Sequence, residues 1–218
     1  MSDDAVVRVL SLFDEDASVP LSDDETRWVP VRRRMGIGAF GTNAYGARRA
    51  GSPVIEEHVE SPGQEELYVV LRGKAAFEVG DASMVVVEGD AVFVPDPGAR
   101  RSAVALEDGT FVLAVGGWRD RAYRSLPWEP IYLARQSMRD GDWAQAAETL
   151  EREAGDHLDT AIVRYRLACC HAQAGNPERA LEELIRAIEL NPDMRLRARD
   201  EELLEPLHAC RDWPIPPG

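Results

Sequence analysis

The sequence predicts a mixed β and α protein, with an antiparallel β-barrel at the N-terminus and a short array of paired helices behind it. Three observations carry this reading. Up to Gly117 the chain is a succession of short apolar runs broken by glycine, proline and aspartate. After Trp118 the apolar residues fall at helical spacing instead. Within that second half, residue types recur at a fixed interval of 34 positions.

Taken in order, residues 1–25 form an acidic segment expected to be partly flexible. From residue 26 to 117 the runs "RWVPVRR", "NAYGARRA", "PVIEEHVE", "ELYVVL", "KAAFEV", "SMVVVE", "DAVFVP", "RRSAVALE" and "TFVLAVGG" each read as a strand. Many short strands at near-even spacing, with turn residues between them, argue a sandwich or barrel. Pro95 and Pro97 sit just past one such run, where a missing N–H does least harm. "WRDRAYRSLP", residues 118–127, reads as a linker, and 128–218 as the helical region.

The helical repeat pairs Leu133 with Leu167, Ala134 with Ala168, Gly141 with Gly175, Ala146 with Ala180 and Leu150 with Leu184. Small residues stand where paired helices approach closely, a glycine ends the first helix and Pro192 stops the second. "RLACCHAQAGNPERALEELIRAIELNP" resembles a tetratricopeptide unit. The earlier copy departs at Glu153, opposite the small Ala187, and at Leu158, near the position of the terminal proline. A last helix from about Arg197 to Cys210 is expected to cap the stack.

Composition narrows the function classes. The formal charge is −14, which repels nucleic-acid phosphates and anionic membrane surfaces. Apolar runs fall short of the ~18 residues a membrane helix needs, and acids stand near the start where a signal peptide carries basic residues. A cytoplasmic protein is therefore expected. Cys169, Cys170 and Cys210 lack the spacing of a thiolate zinc site and read as reduced thiols.

"MGIGAFG" contains G-x-G-x-x-G at Gly36, Gly38 and Gly41, but "TNAYGARRAGSP" follows where a dinucleotide fingerprint needs a helix. It reads as strand and turn. "EEHVESPGQEELYVVLRG" carries more chemistry. His58 and Glu60 are two apart, so on a strand they share a face, and Glu66 opens the next strand after the "SPGQ" turn. Side chains from two neighbouring strands can converge on a cation.

This stretch resembles the first motif of the cupin family: a glycine, H-x-H, a glutamate and a second glycine. Gly51, His58, Glu60, Glu66 and Gly73 take those places, with Glu60 standing where the second histidine is usual. "GDAVFVPDPGARR" is similar to the second motif through Gly89, Pro95 and Gly98, but its histidine is missing. Arg101 stands there, with Arg100 beside it. The resemblance spans about Val29 to Gly117 and implies a cupin-like β-barrel, fused here to a tetratricopeptide-like helical array, and a homodimer.

Two site readings stay open. One is metal-free, with Arg101 bridging Glu60 or Glu66 in place of a cation. The other holds a divalent metal ion on His58, Glu60 and Glu66, with water completing the shell. His58 could also act as an acid or base without metal, whereas His157, His171 and His208 read as packing residues of the helices. Candidate ligand-binding residues are Arg101, Arg100, Asn43, Tyr45 and Tyr68; Tyr68, Phe77 and Phe93 also read as barrel filling. The expected function is a non-enzymatic small-molecule-binding or dimerisation domain coupled to helices that engage a protein or peptide. The alternative is a metal-dependent enzyme of dioxygenase or isomerase type.

Overall fold

Alternation of apolar and polar side chains gives the first half its strands. The structure, a computed structural model, describes residues 7–21, 25–210 and 213–214. The chain divides into two units, before and after the Arg124–Ser125 bond. In the first unit the strands are β1 (Val19–Pro20), β2 (Thr26–Val29), β3 (Gly41–Ala47), β4 (Pro53–His58), β5 (Gln64–Arg72), β6 (Lys74–Val79), β7 (Ala82–Val87), β8 (Ala91–Val94), β9 (Arg101–Ala105) and β10 (Phe111–Trp118). Gln64, Glu66, Tyr68 and Val70 of β5 point inward at every second position, the strand period.

The strands form two antiparallel sheets, ordered β1-β2-β3-β10-β5-β8 and β4-β9-β6-β7. Tyr68, Val70, Val92, Val94, Val112 and Ala114 of the larger sheet share one buried core with Ile55, Ala75, Phe77, Val86, Ala103 and Ala105 of the smaller. Among the described residues no ladder joins the sheets, so the expected barrel is an open sandwich of two antiparallel sheets. Gly73 turns β5 into β6 at φ 76°, and a Cβ there would fall 2.7 Å from Thr110 Oγ1, so only glycine fits.

Two expectations of the β unit need correction. "RWVPVRR" is not one strand: Pro30 has no N–H to continue the ladder, and Val31–Met35 coil into a short helix, α1, closed by Gly36. The glycine-rich run therefore follows a helix and leads into a strand, the reverse of the nucleotide-binding order. Phe93 is 56% exposed, because Val92 and Val94 take the inward positions of β8. In the acidic segment, residues 15–17 form a 3-10 turn, Ala17 and Leu21 are buried, and the Phe13 ring meets Phe111 edge-on at 5.1 Å. Residues 1–6 and 22–24 of that segment lie outside the described residues. At the other end, the Tyr123 ring fills the space that a Cβ on Gly41 would need, and lies 5.7 Å from the Trp118 ring.

The second unit contains α2 (Trp128–Arg139), α3 (Trp143–Ala154), α4 (Ala161–Gln173), α5 (Pro177–Leu190) and α6 (Met194–Arg199). Four of the five pairs at the repeat interval share environments, while Leu133 is half-buried where Leu167 is fully buried. Ala134, Ala168, Ala146, Ala180, Leu150 and Leu184 are all fully buried. Gly141 and Gly175 both take the left-handed conformation, at φ 74° and 76°, directly after a first helix. The cap differs from the single helix expected: α6 stops at Arg199, and a 3-10 segment, Glu202–Leu207, contains Pro206, which denies a regular helix its N–H. Leu204 and Leu207 are nonetheless fully buried and close the end of the helical core.

Candidate metal centre

A break in register aims the histidine. β4 pairs with β9 through Ile55 opposite Ala103 and His58 opposite Arg101, with an irregularity between the two pairs. The extra residue switches the phase of the strand, so Ile55 and His58 both turn inward while Glu56 and Glu57 stay exposed. Glu60 follows the strand, and its backbone N–H donates to the Pro97 carbonyl at 2.9 Å. Glu66 comes from β5, in a cross-sheet row with Val94, Gly116 and Gly41. A Cβ on Gly116 would meet Glu66 Cγ at 3.2 Å, so the glycine gives that side chain room.

His58, Glu60 and Glu66 each offer one ligand atom, and these atoms lie within 4.8 Å of one another. His58 Nε2 is 3.6 Å from Glu60 Oε1 and 3.5 Å from Glu66 Oε2. A tetrahedral shell with bonds of about 2.1 Å sets its donors about 3.4 Å apart, so these gaps match neighbouring ligands of one ion. His58 Nδ1 lies 2.8 Å from the Glu56 carbonyl, an acceptor that holds the proton on Nδ1 and leaves Nε2 facing the carboxylates. Tyr68 donates a short hydrogen bond to Glu66 Oε2, and its hydroxyl is 3.4 Å from His58 Nε2. The Nδ1–Glu56 contact and the Tyr68–Glu66 hydrogen bond are of the outer-shell kind that orients metal ligands.

Electrostatics agree with the geometry. Burial by itself lowers the imidazole pKa of His58, but the Glu60 and Glu66 carboxylates and the Glu56 carbonyl outweigh it and raise it to about 10. The pocket thus favours positive charge at Nε2, be it a proton or a metal ion. Burial and the neighbouring Glu66 charge push the Tyr68 phenol upward, which keeps it protonated as a donor. The His58 side chain is 34% exposed against 10% for Glu60 and 11% for Glu66, so the cluster opens to solvent on the histidine side.

Arg101 sits beside this cluster, 1% exposed. Its Nη2 donates to the Asp96 carbonyl at 2.7 Å, and its Nη1 is 3.7 Å from Glu66 Oε2, beyond hydrogen-bonding distance. Nε and Nη1 have no hydrogen-bond partner. Arg100 does not join the group: it is largely exposed and bonds Glu57 at 2.7 Å on the surface. Asn43 lies in the same cross-sheet row as Ala114 and Tyr68, while Tyr45 lies two rows further, with Val112 and Val70. The two line the same sheet face as Glu66. Sequence reasoning missed the Asp96 and Pro97 carbonyls that hold Arg101 and Glu60. Their signal was the "PDPG" turn, whose prolines cannot donate but whose carbonyls accept.

The other histidines are tied into the helical unit. His157 Nε2 is 2.8 Å from Ser125 Oγ, His171 Nε2 is 3.3 Å from Glu151, and the His208 ring meets the Trp213 ring at a tilt, with centroids 4.7 Å apart. Burial pushes the Cys169 and Cys170 thiols up to about 12.

Comparison with known proteins bears on each half differently. The family model described as tetratricopeptide repeat matches residues 161–194, which hold α4 and α5. No curated protein matches the chain. Among solved structures the chain is similar to KdgF from Halomonas sp., at 18% identity over 50% of this chain and 95% of that one, with a TM-score of 0.39. It is similar to the plu4264 protein from Photorhabdus luminescens, at 16% identity over 53% and 88%, TM-score 0.42. A third is an RmlC-like cupin from Shewanella frigidimarina NCIMB 400, at 14% identity over 47% and 85%, TM-score 0.36. Likeness of this order says nothing of ligand or reaction.

Proposed function

We propose that the β unit is a small-molecule-binding module centred on a divalent cation held by His58, Glu60 and Glu66, and that the helical unit serves protein interaction. The observation that carries this is the convergence of both carboxylates on His58 Nε2 at 3.5 and 3.6 Å. Arg101 reaches Glu66 Oε2 alone, at 3.7 Å, whereas His58 faces both carboxylates. One imidazole with two carboxylates suits zinc, manganese or iron(II). Such an ion supplies Lewis acidity and a place for a ligand oxygen. Calorimetric titration of chelator-stripped protein with zinc and manganese tests the reading. Binding of one ion, lost in His58→Ala, supports it, and an absence of binding for both metals refutes it.

A second reading, a metal-dependent enzyme, is favoured by the three-ligand set, because catalytic sites keep a coordination position open. Metal-dependent turnover in a screen of small carboxylic acids, abolished in His58→Ala, would establish it.

A further inference from the structure

The outward face of the smaller sheet is apolar where a sheet facing water carries polar side chains. Register sets Pro53, Val104, Ala76 and Val85 in one row across β4, β9, β6 and β7. Val87 stands beside Lys74 in the next outward row, and Leu106 reaches the same place, its N–H donating to the Lys74 carbonyl at 2.8 Å. Val85 is 57% exposed, Val87 43%, Leu106 42% and Val104 39%. Exposed aliphatics scattered singly need no explanation, but four in register on one face form a patch. The outer side of the larger sheet is treated differently, for Ala44, Leu71 and Leu113 pack there with Leu10, Leu12 and Ala17 of the same chain.

We infer that this face of the smaller sheet is where two copies of the chain meet, the strands of one antiparallel to those of the other. The cation plays no part in it. Charge selects the occupant. The chain carries a formal −14, so two copies repel except where that charge is absent. On the outward positions of β6, β7 and β9 the only charges are Lys74 and Glu78, which cancel. Neither forms an ion pair with another described residue. They flank Ala76 at equal distance along β6. A two-fold axis lying along the Pro53–Val85 row turns β6 end for end over its copy, so Lys74 of each chain meets Glu78 of the other. The apolar row then lies against itself, and Val87 and Leu106 face the small Ser83 and Ser102 of the second copy. A parallel arrangement would set lysine on lysine and glutamate on glutamate. The ion pairs fix the orientation, while the apolar row supplies most of the attraction. By strand spacing and rise the face measures roughly 15 by 20 Å, small for an interface, so a dimer with a Kd on the order of micromolar is expected.

Sedimentation equilibrium of the full chain from about 1 to 500 μM tests this. A monomer–dimer equilibrium is expected, moved roughly tenfold or more toward monomer by Val85→Asp at unchanged β circular dichroism. Lys74→Glu and Glu78→Lys should each weaken the dimer roughly threefold or more, and the chain carrying both exchanges should recover it. Recovery reads the antiparallel pairing itself, which a folding defect does not reproduce. Should Val85→Asp fail to fold, the charge exchanges decide. Protein that stays monomeric throughout overturns the inference and leaves the patch to a different partner. A dimer indifferent to Val85→Asp also overturns it, since the copies then meet elsewhere. Single exchanges without effect, or a double exchange that recovers nothing, overturn the antiparallel arrangement.

Discussion

At the scale of single residues, the charges around His58 set what the cluster will accept. Two carboxylates face one imidazole nitrogen, and the only buried guanidinium among the described residues stands beside them, its Nη1 3.7 Å from Glu66 Oε2. Replacing that arginine by histidine removes a repelling charge and adds an imidazole. Arg101→His is therefore expected to tighten zinc binding at least tenfold in a competition with a chelating dye. An unchanged affinity would place that side chain out of reach of the ion. Thiols in the helical unit give a second outcome at this scale. With pKa values near 12, Cys169 and Cys170 carry almost no thiolate at pH 8. Iodoacetamide should label the half-buried Cys210 first and reach the adjacent pair only on unfolding, as read by mass spectrometry. Rapid labelling of Cys169 in the native protein would show that α4 is not packed as described.

Among the elements, the helical hairpins stand on small residues at close contacts. Ala180 is fully buried in the core formed by α4, α5 and the closing 3-10 segment. Ala180→Leu should overpack it and cost roughly 1–3 kcal/mol in chemical denaturation. An unchanged midpoint would mean that α5 is rotated away from α4. The hairpins were legible in the sequence because spacing alone encodes them: Gly141 and Gly175, Ala146 and Ala180 repeat both in position and in environment. Most strands were legible for the same reason, through alternation and turn residues. The short helix α1 was not, because Val31 to Met35 follow a strand-like run and only Pro30 marks the change. The direction of His58 depends on an irregularity in the β4–β9 ladder, which is a property of the pair and not of either strand. Likewise Phe93 looked like core filling until the register of β8 against β5 turned Val92 and Val94 inward instead. Spacing brought His58, Glu60 and Glu66 close along the chain, but their convergence depends on the β4–β9 irregularity and on the turn after β4, in which Glu60 lies. The anchoring of Arg101 was not legible either, since it depends on carbonyls of a turn whose path the sequence leaves open.

For the whole molecule, the division after Arg124 gives a simple expectation. Arg119, Arg121 and Arg124 are exposed, so brief trypsin treatment should cut within this stretch and release two fragments with β and helical circular dichroism respectively. Fragments that lose their structure on separation would mean that the units depend on each other. The central claim, that the β unit carries a cation, is tested most directly by metal analysis of wild type and His58→Ala, both purified without chelator. About one divalent ion per wild-type chain is expected, with none in the variant at unchanged β circular dichroism. Wild-type protein free of metal, and still free after dialysis against zinc, manganese and iron(II), would contradict it.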